Sequence, residues 1–369
     1  MGGVSSKLTT SFLEFFYYSV SPLLMKVVEL NIVPDIILRL GILAACEGGA
    51  MKVLGLSVEE RASLVSKHVA ELKSMPIALE QEAANEQHYE VPDTFFQLCL
   101  GPYMKYSSGY WPHKNTTLAE SEVHMLEMYC DRAQLFDGMT LCDVGCGWGS
   151  VSLFMAQKYP KATIVSISNS HSQRQYIKSQ AKQRGLSNIT VHTGDLATFD
   201  LPAANHLYFD RAISVEMFEH AKNYELLLAK ISRWLKPGGK LFVHIFTQLH
   251  IPQHYERGWM AENFFTGGQI PHNDLLLYFQ RDLLIEHQWA VNGRHYQRTL
   301  EAWLAELDKK KEIAFPILQK AYGNDYALAT KWYVNWRMFY LSCAVFFGLH
   351  GGETYFVSHY LFRKSTQSK

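Results

Sequence analysis

The chain has 369 residues, 48% hydrophobic and 19% charged, the balance of an ordinary globular protein with room for one large domain carrying additions, or for two. Its 35 basic and 35 acidic residues cancel, so no long-range field gathers nucleic acid or an anionic membrane, and a nucleic-acid partner is not expected. Six scattered cysteines show neither a zinc spacing nor a disulfide framework, so no metal is expected and a reducing, cytoplasmic compartment is.

Residues 1–80 read as a helical extension ending near Met75-Pro76. Phe12 to Leu43 is apolar, but Glu14, Lys26, Glu29, Asp35 and Arg39 interrupt it, and no window reaches the roughly 20 apolar residues of a membrane span. Lys7 alone is a poor start for a signal peptide. Two amphipathic helices are predicted, covering the main domain or a partner chain such as a second copy ahead of touching a membrane surface. From Glu86 to Pro112 the chain mixes aromatics with Gly, Ser and Pro, which suits a loop over a ligand, and Leu118 to Leu135 reads as a helix.

The chain is organised around Cys142-Asp143-Val144-Gly145-Cys146-Gly147-Trp148-Gly149, between a predicted strand (Met139 to Val144) and a predicted helix (Ser150 to Tyr159). A strand turning into a helix through alternate glycines brings backbone N–H groups close to a ligand. A dinucleotide site would want G-x-G-x-x-G and an acid about 20 residues further on. Here the spacing is G-x-G-x-G, and the next strand (Ala162 to Ser168) runs into Asn169, with Gln173 one helical turn beyond. After a third strand (Ile189 to Thr193), Asp195 of Gly194-Asp195-Leu196 is placed to accept the exocyclic amine of adenine. S-adenosylmethionine fits this order best, with Asp143, Gly145, Gly147, Asn169, Gln173, Asp195 and Leu196 as binding residues and Trp148 as packing.

A fourth strand (Asp210 to Val215) carries Ile213, which joins the cofactor set; a helix (Tyr224 to Trp234) stops at Lys236-Pro237-Gly238-Gly239, and a fifth strand (Lys240 to Phe246) follows. Alternation of this kind predicts an α/β fold with a parallel doubly wound sheet and its ligand at the strands' carboxyl ends. Residues 81–250 then form the core with a leading cap segment. Residues 251–369 form a substrate cap and the end of the core, with the loop Phe264-Phe265-Thr266-Gly267-Gly268 and helices from Leu300 to Asp308 and Tyr326 to Phe347. Met338 to Gly352 is uncharged but too short for a bilayer, so a buried helix is predicted.

The fourth strand ends in Glu216-Met217-Phe218-Glu219-His220. On a helical turn all three titratable residues face one side, a set able to hold a cation and remove its proton. Glu219 and His220 are assigned to proton removal and Glu216 to anchoring an ammonium; a surface charge pair is the structural alternative.

Several separated motifs together resemble the family of cyclopropane-fatty-acid synthases and its coclaurine N-methyltransferase branch. They are His88-Tyr89 before Pro92, Lys105-Tyr106-Ser107 with Tyr110, the glycine turn, Glu216 to His220, the Phe264–Gly268 loop, and Val357-Ser358-His359-Tyr360-Leu361-Phe362. The resemblance implies a class I, Rossmann-like methyltransferase with a seven-stranded, mostly parallel sheet and a helical cap. It places Tyr106 and Ser107 at the methionine end of the cofactor. In the lipid-modifying branch the motif looks like G-M-F-E-H, and a cysteine after the Y-S pair helps bind a bicarbonate base. Here Glu216 and Ser108 stand at those positions; His244 and Tyr296 match the base's other contacts, and Phe246 replaces an isoleucine. The E-x-x-E-H form and Val291-Asn292-Gly293-Arg294-His295-Tyr296 look like the alkaloid N-methyltransferases. N-methylation of a small amine of tetrahydroisoquinoline type is therefore expected, ringed by Phe264, Phe265, Tyr296 and Trp336. Methylene or methyl transfer to an unsaturated acyl chain is the alternative.

Overall fold

The computed structural model describes residues 25–78, 91–201, 208–254 and 258–364, so His88-Tyr89 lies outside the described residues. Residues 25–29 are helical, and two further helices, α1 (Asp35–Leu54) and α2 (Val58–Ser74), follow them. Ser57 and Glu60 form a reciprocal cap on α2, satisfying two backbone N–H groups that the first turn leaves open. The segment read as one loop contains a short helix, α3 (Asp93–Cys99), before α4 (Leu118–Arg132), which opens on a second reciprocal cap of Thr117 and Glu120.

The core then alternates β1 (Thr140–Val144), α5 (Ser150–Lys158), β2 (Thr163–Ser168), α6 (His171–Gln183), β3 (Ile189–Thr193), β4 (Phe209–Val215), α7 (Tyr224–Trp234) and β5 (Leu235–Gln248). Next come a hairpin-like pair, β6 (Gln253–His254) and β7 (Gln269–Ile270), around α8 (Trp259–Asn263). The chain continues through β8 (Leu283–Val291), α9 (Arg294–Lys309), α10 (Lys311–Ala321), α11 (Tyr326–Gly348) and β9 (Tyr355–Lys364). The main sheet has seven strands in the order β3-β2-β1-β4-β5-β9-β8. Every neighbouring pair from β3 to β5 is parallel, and only β9 runs against its two neighbours.

Alternation along each strand sends side chains to two cores. Leu141, Ile213, Phe242, Val357 and Leu361 face one, shared with α3, α4, α9 and α11; Cys142, Val144, Val243, Ile245 and Tyr360 face the other, against α2 and α7. The first face carries the site. There α1 is tied down by ion pairs, Arg39 forking onto Glu301 at 2.5 and 2.7 Å and Asp35 meeting Arg337, which also holds Asp308. Its other side leaves Ile36, Leu40 and Met51 exposed. No helix among the described residues is long and apolar enough to cross a membrane.

Candidate active site

The turn after β1 is built from left-handed glycines, with φ of +82° at Gly145, +51° at Gly147 and +79° at Gly149. The N–H groups of Gly145 and Cys146 both donate to Ile167 O, at 3.0 and 2.9 Å, which pins the turn to β2. A Cβ on Gly145 would lie 2.5 Å from Met217 Cγ, and one on Gly149 2.6 Å from Ile177 Cγ1, so packing alone demands glycine there. A Cβ on Gly147 would meet nothing within 4 Å, because that residue faces a cavity of about 420 Å³.

Tyr106, Ser107, Asp143, Gly145, Gly147, Asn169, Gln173 and Leu196 all line that cavity, so eight of the ten residues assigned to the cofactor come together. Asp195 and Ile213 do not. Asp195 turns a carboxylate oxygen back onto the N–H of Ala197 at 2.7 Å, leaving Gly194 and Leu196 on the wall. Ile213 pairs with Asp143 across β1 and β4 and is fully buried in the core. Asp143 is itself buried, accepts from the Ser152 hydroxyl at 2.5 Å, and is pushed up to about 7 by that burial.

The acidic motif departs from the expected helical turn. Glu216 has φ +48°, and only Phe218–His220 forms a turn, of 3-10 type. The three titratable residues therefore do not share a face: Glu216 and His220 line the cavity, and Glu219 is fully buried and does not. One Glu219 oxygen accepts from the Phe246 N–H at 2.9 Å, and the other has no hydrogen-bond partner among the described residues. Burial, with the negative Glu216 beside it, pushes Glu219 well above the carboxylate range. A carboxyl so placed ties the turn to β5 and stands off the cavity wall, whereas the sequence assigned it to proton removal from a ligand.

Glu216 is held from three sides. Its Oε1 accepts from the Ser108 N–H at 3.0 Å and lies 3.0 Å from His244 Nε2; its Oε2 accepts from the Tyr296 hydroxyl at 2.6 Å. Burial pushes this carboxyl up to about 7, even with the Lys105 ammonium, the Tyr296 hydroxyl and the Ser108 N–H pulling it back. Lys105, quoted in the sequence only as part of a motif and given no role there, proves central to this seat. Its buried ammonium donates to the Ser107 hydroxyl and, at 2.8 Å, to Ser108 O, fixing the loop whose N–H meets Glu216, and burial lowers it to about 8.

Above the acidic turn the wall is aromatic. Phe264, Phe265 and Tyr296 line it as expected, Phe265 meeting the His220 ring edge-on at 5.3 Å. Trp336 does not line it: fully buried, it packs behind Phe264 at 5.1 Å and against Phe95 at 5.2 Å. Trp303, Phe346 and Phe347 line the cavity unanticipated, beside Phe246, and α1 contributes Ile42 and Cys46. Charged groups beneath an aromatic wall suit a cation held out of water.

The residues fit S-adenosylmethionine. Gly147 opens space for a ligand against the backbone, and Asp143 is a buried carboxyl whose ionised form a cationic ligand would favour. The family model for mycolic acid cyclopropane synthetase matches residues 78–347. The chain is 37% identical to (S)-coclaurine N-methyltransferase of Thalictrum flavum subsp. glaucum, covering 92% of this chain and 95% of that one. Cyclopropane-fatty-acyl-phospholipid synthase of Escherichia coli (strain K12) is more distant, at 28% identity over 68% of this chain and 62% of that one. A crystal structure of coclaurine N-methyltransferase bound to N-methylheliamine and SAH superposes with a TM-score of 0.88 at 34% identity, covering 92% of this chain and 99% of that one.

Fold, glycine turn and cavity thus define a class I S-adenosylmethionine-dependent methyltransferase. Within that class the chain belongs to the mycolic acid cyclopropane synthetase family, in the branch of the coclaurine N-methyltransferases.

Proposed function

We propose that the chain transfers a methyl group to the nitrogen of a small amine flanked by aromatic rings, of tetrahydroisoquinoline type. The observation that carries this is the seat of the Glu216 carboxylate. It lies among the Ser108 N–H, the His244 ring and the Tyr296 hydroxyl, positions at which the resemblance to the lipid-modifying branch expects a bicarbonate base. A carboxylate fixed to the chain there leaves no need for a dissolved one, and it suits an ammonium arriving in the cavity.

When bound, S-adenosylmethionine supplies a methyl carbon on a positively charged sulfur. Glu216 draws in and orients the ammonium, His220 accepts its proton so that the nitrogen lone pair is free, and Phe264 and Phe265 exclude water. Glu219 acts from behind, through the bond to Phe246 that seats His220 at the wall. All six cysteines are free thiols, which supports the cytoplasmic location expected from the sequence.

Mass spectrometry of products from a panel of cyclic secondary amines and unsaturated phospholipids, with and without added bicarbonate, tests the reading. Methylated amine formed at the same rate without bicarbonate is the expected result, and His220→Ala lowers that rate about 10²- to 10⁴-fold. A methylated or cyclopropanated acyl chain, or an amine reaction that stops when bicarbonate is withdrawn, overturns it.

A further inference from the structure

His244 of β5 and His359 of β9 are direct cross-strand partners, both fully buried on the cavity face of the sheet. Their rings join a line of contacts that runs inward from Arg132, at the half-buried end of α4. Arg132 Nη1 lies 2.6 Å from His359 Nδ1, His359 Nε2 lies 2.9 Å from His244 Nδ1, and His244 Nε2 lies 3.0 Å from Glu216 Oε1.

One chemical fact sets the direction of the whole line. A guanidinium can only donate, so His359 Nδ1 must accept. A neutral imidazole that accepts at Nδ1 carries its hydrogen on Nε2, so His359 donates to His244 Nδ1. The same reasoning applied to His244 puts its hydrogen on Nε2, aimed at Glu216. Burial, with Arg132 and Lys105 nearby, holds both rings well below the ordinary imidazole value, so both are neutral. The Tyr129 hydroxyl, 2.9 Å from His244 Nδ1, can donate or accept and so follows whichever tautomer His359 imposes.

We propose that Arg132 and His359 are positioning residues which, through His244, fix an N–H donor on Glu216 Oε1 and so keep that side chain ionised and facing the cavity. The proposal rests on the reading of Glu216 as the carboxylate that meets the amine. Without the guanidinium, His359 is free to take its hydrogen on Nδ1. Its Nε2 then turns a lone pair toward His244, whose own hydrogen moves to Nδ1. A lone pair 3.0 Å from a carboxylate oxygen then favours the protonated acid. Around Glu216 stand Lys105, Tyr129, Tyr296, His220, Glu219 and Cys343, and Tyr110 lies near Arg132. All of them are retained in Arg132→Met, where only Tyr129 and Tyr110 lose the field of the guanidinium, and the thioether can still pack against Trp289 as the guanidinium does.

Two measurements on the full-length protein test this. Multiple-bond ¹H–¹⁵N spectra of the histidine rings, assigned by His244→Gln and His359→Gln, should show both rings with their hydrogen on Nε2. Either ring with its hydrogen on Nδ1 in the unaltered protein overturns the proposal whatever the enzyme's activity. In the pH profile of kcat/KM, Arg132→Met should move the acid limb up by about one pH unit, a loss of about tenfold at pH 6, and converge with the unaltered enzyme above the limb; Arg132→Lys, also a pure donor, should restore it. An unmoved limb in Arg132→Met while Glu216→Gln abolishes turnover refutes the donor line alone, whereas full activity in Glu216→Gln refutes the reading of Glu216 beneath it.

Discussion

Replacing Asp143 by Asn should stabilise the cofactor-free protein while weakening the cofactor site. Burial raises this carboxyl from its ordinary 3.8 to about 7, with only the Ser152 hydroxyl and backbone N–H drawing it down. A raised carboxyl is protonated in the folded chain while already ionised in the unfolded one. Stability is therefore lost as pH climbs through the window between 3.8 and about 7, and the full cost stands above it. At about 1.4 kcal/mol per pH unit the ceiling is about 4 kcal/mol; relaxation and water entry bring the expected gain at pH 8 to about 2 to 4 kcal/mol. Asn keeps an acceptor for the Ser152 N–H and cannot ionise. Urea unfolding of both proteins at pH 4.5 and pH 8, without cofactor, reads the difference. The gain should be large at pH 8, small at pH 4.5, and should narrow at pH 8 when saturating S-adenosylmethionine is added. An equal stability difference at both pH values would refute the reasoning, because it would show that the Asp143 carboxyl costs the fold nothing by ionising.

Gly147→Ala places a Cβ in the cavity and forces alanine to φ +51°, so cofactor affinity by calorimetry should fall at least about tenfold for a stability cost of only about 1 to 2 kcal/mol. Trp336→Ala should cost about 3 to 5 kcal/mol in urea unfolding, as removal of a buried ring does, with cofactor affinity nearly unchanged. A mild stability effect with a large rise in the amine's KM would instead return Trp336 to the cavity wall.

The sheet was legible because its strands are short apolar runs ending in turn residues; Ile189–Thr193 and Tyr224–Trp234 fall where periodicity put them. The 11-residue helix α10 was not, since Pro316 inside it reads as a breaker, and α3 was hidden among aromatics and prolines. At the site, helical spacing put Glu216, Glu219 and His220 on one face, and the left-handed backbone at Glu216 turned Glu219 away from the cavity. That conformation follows from tertiary pairing, because Glu216 N–H still donates to His244 O at 2.9 Å as a continuation of the strand before the chain turns away. Trp336 was assigned to the substrate on aromatic character alone, which does not separate a wall from the layer behind it. The seat of Glu216 was half legible: resemblance picked out His244 and Tyr296, but the His244–His359 pairing depends on a strand register that no local pattern encodes.

The strand carrying His359 also bears on how the molecule comes to be made. β9 is inserted between β5 and β8, so Lys240 must wait for Arg363, and His244 lacks its cross-strand partner His359 until that segment has been inserted into the sheet. Strand partners so far apart along the chain assemble slowly. Methyl-transfer competence should therefore appear late in folding, in step with closure of that gap in the sheet.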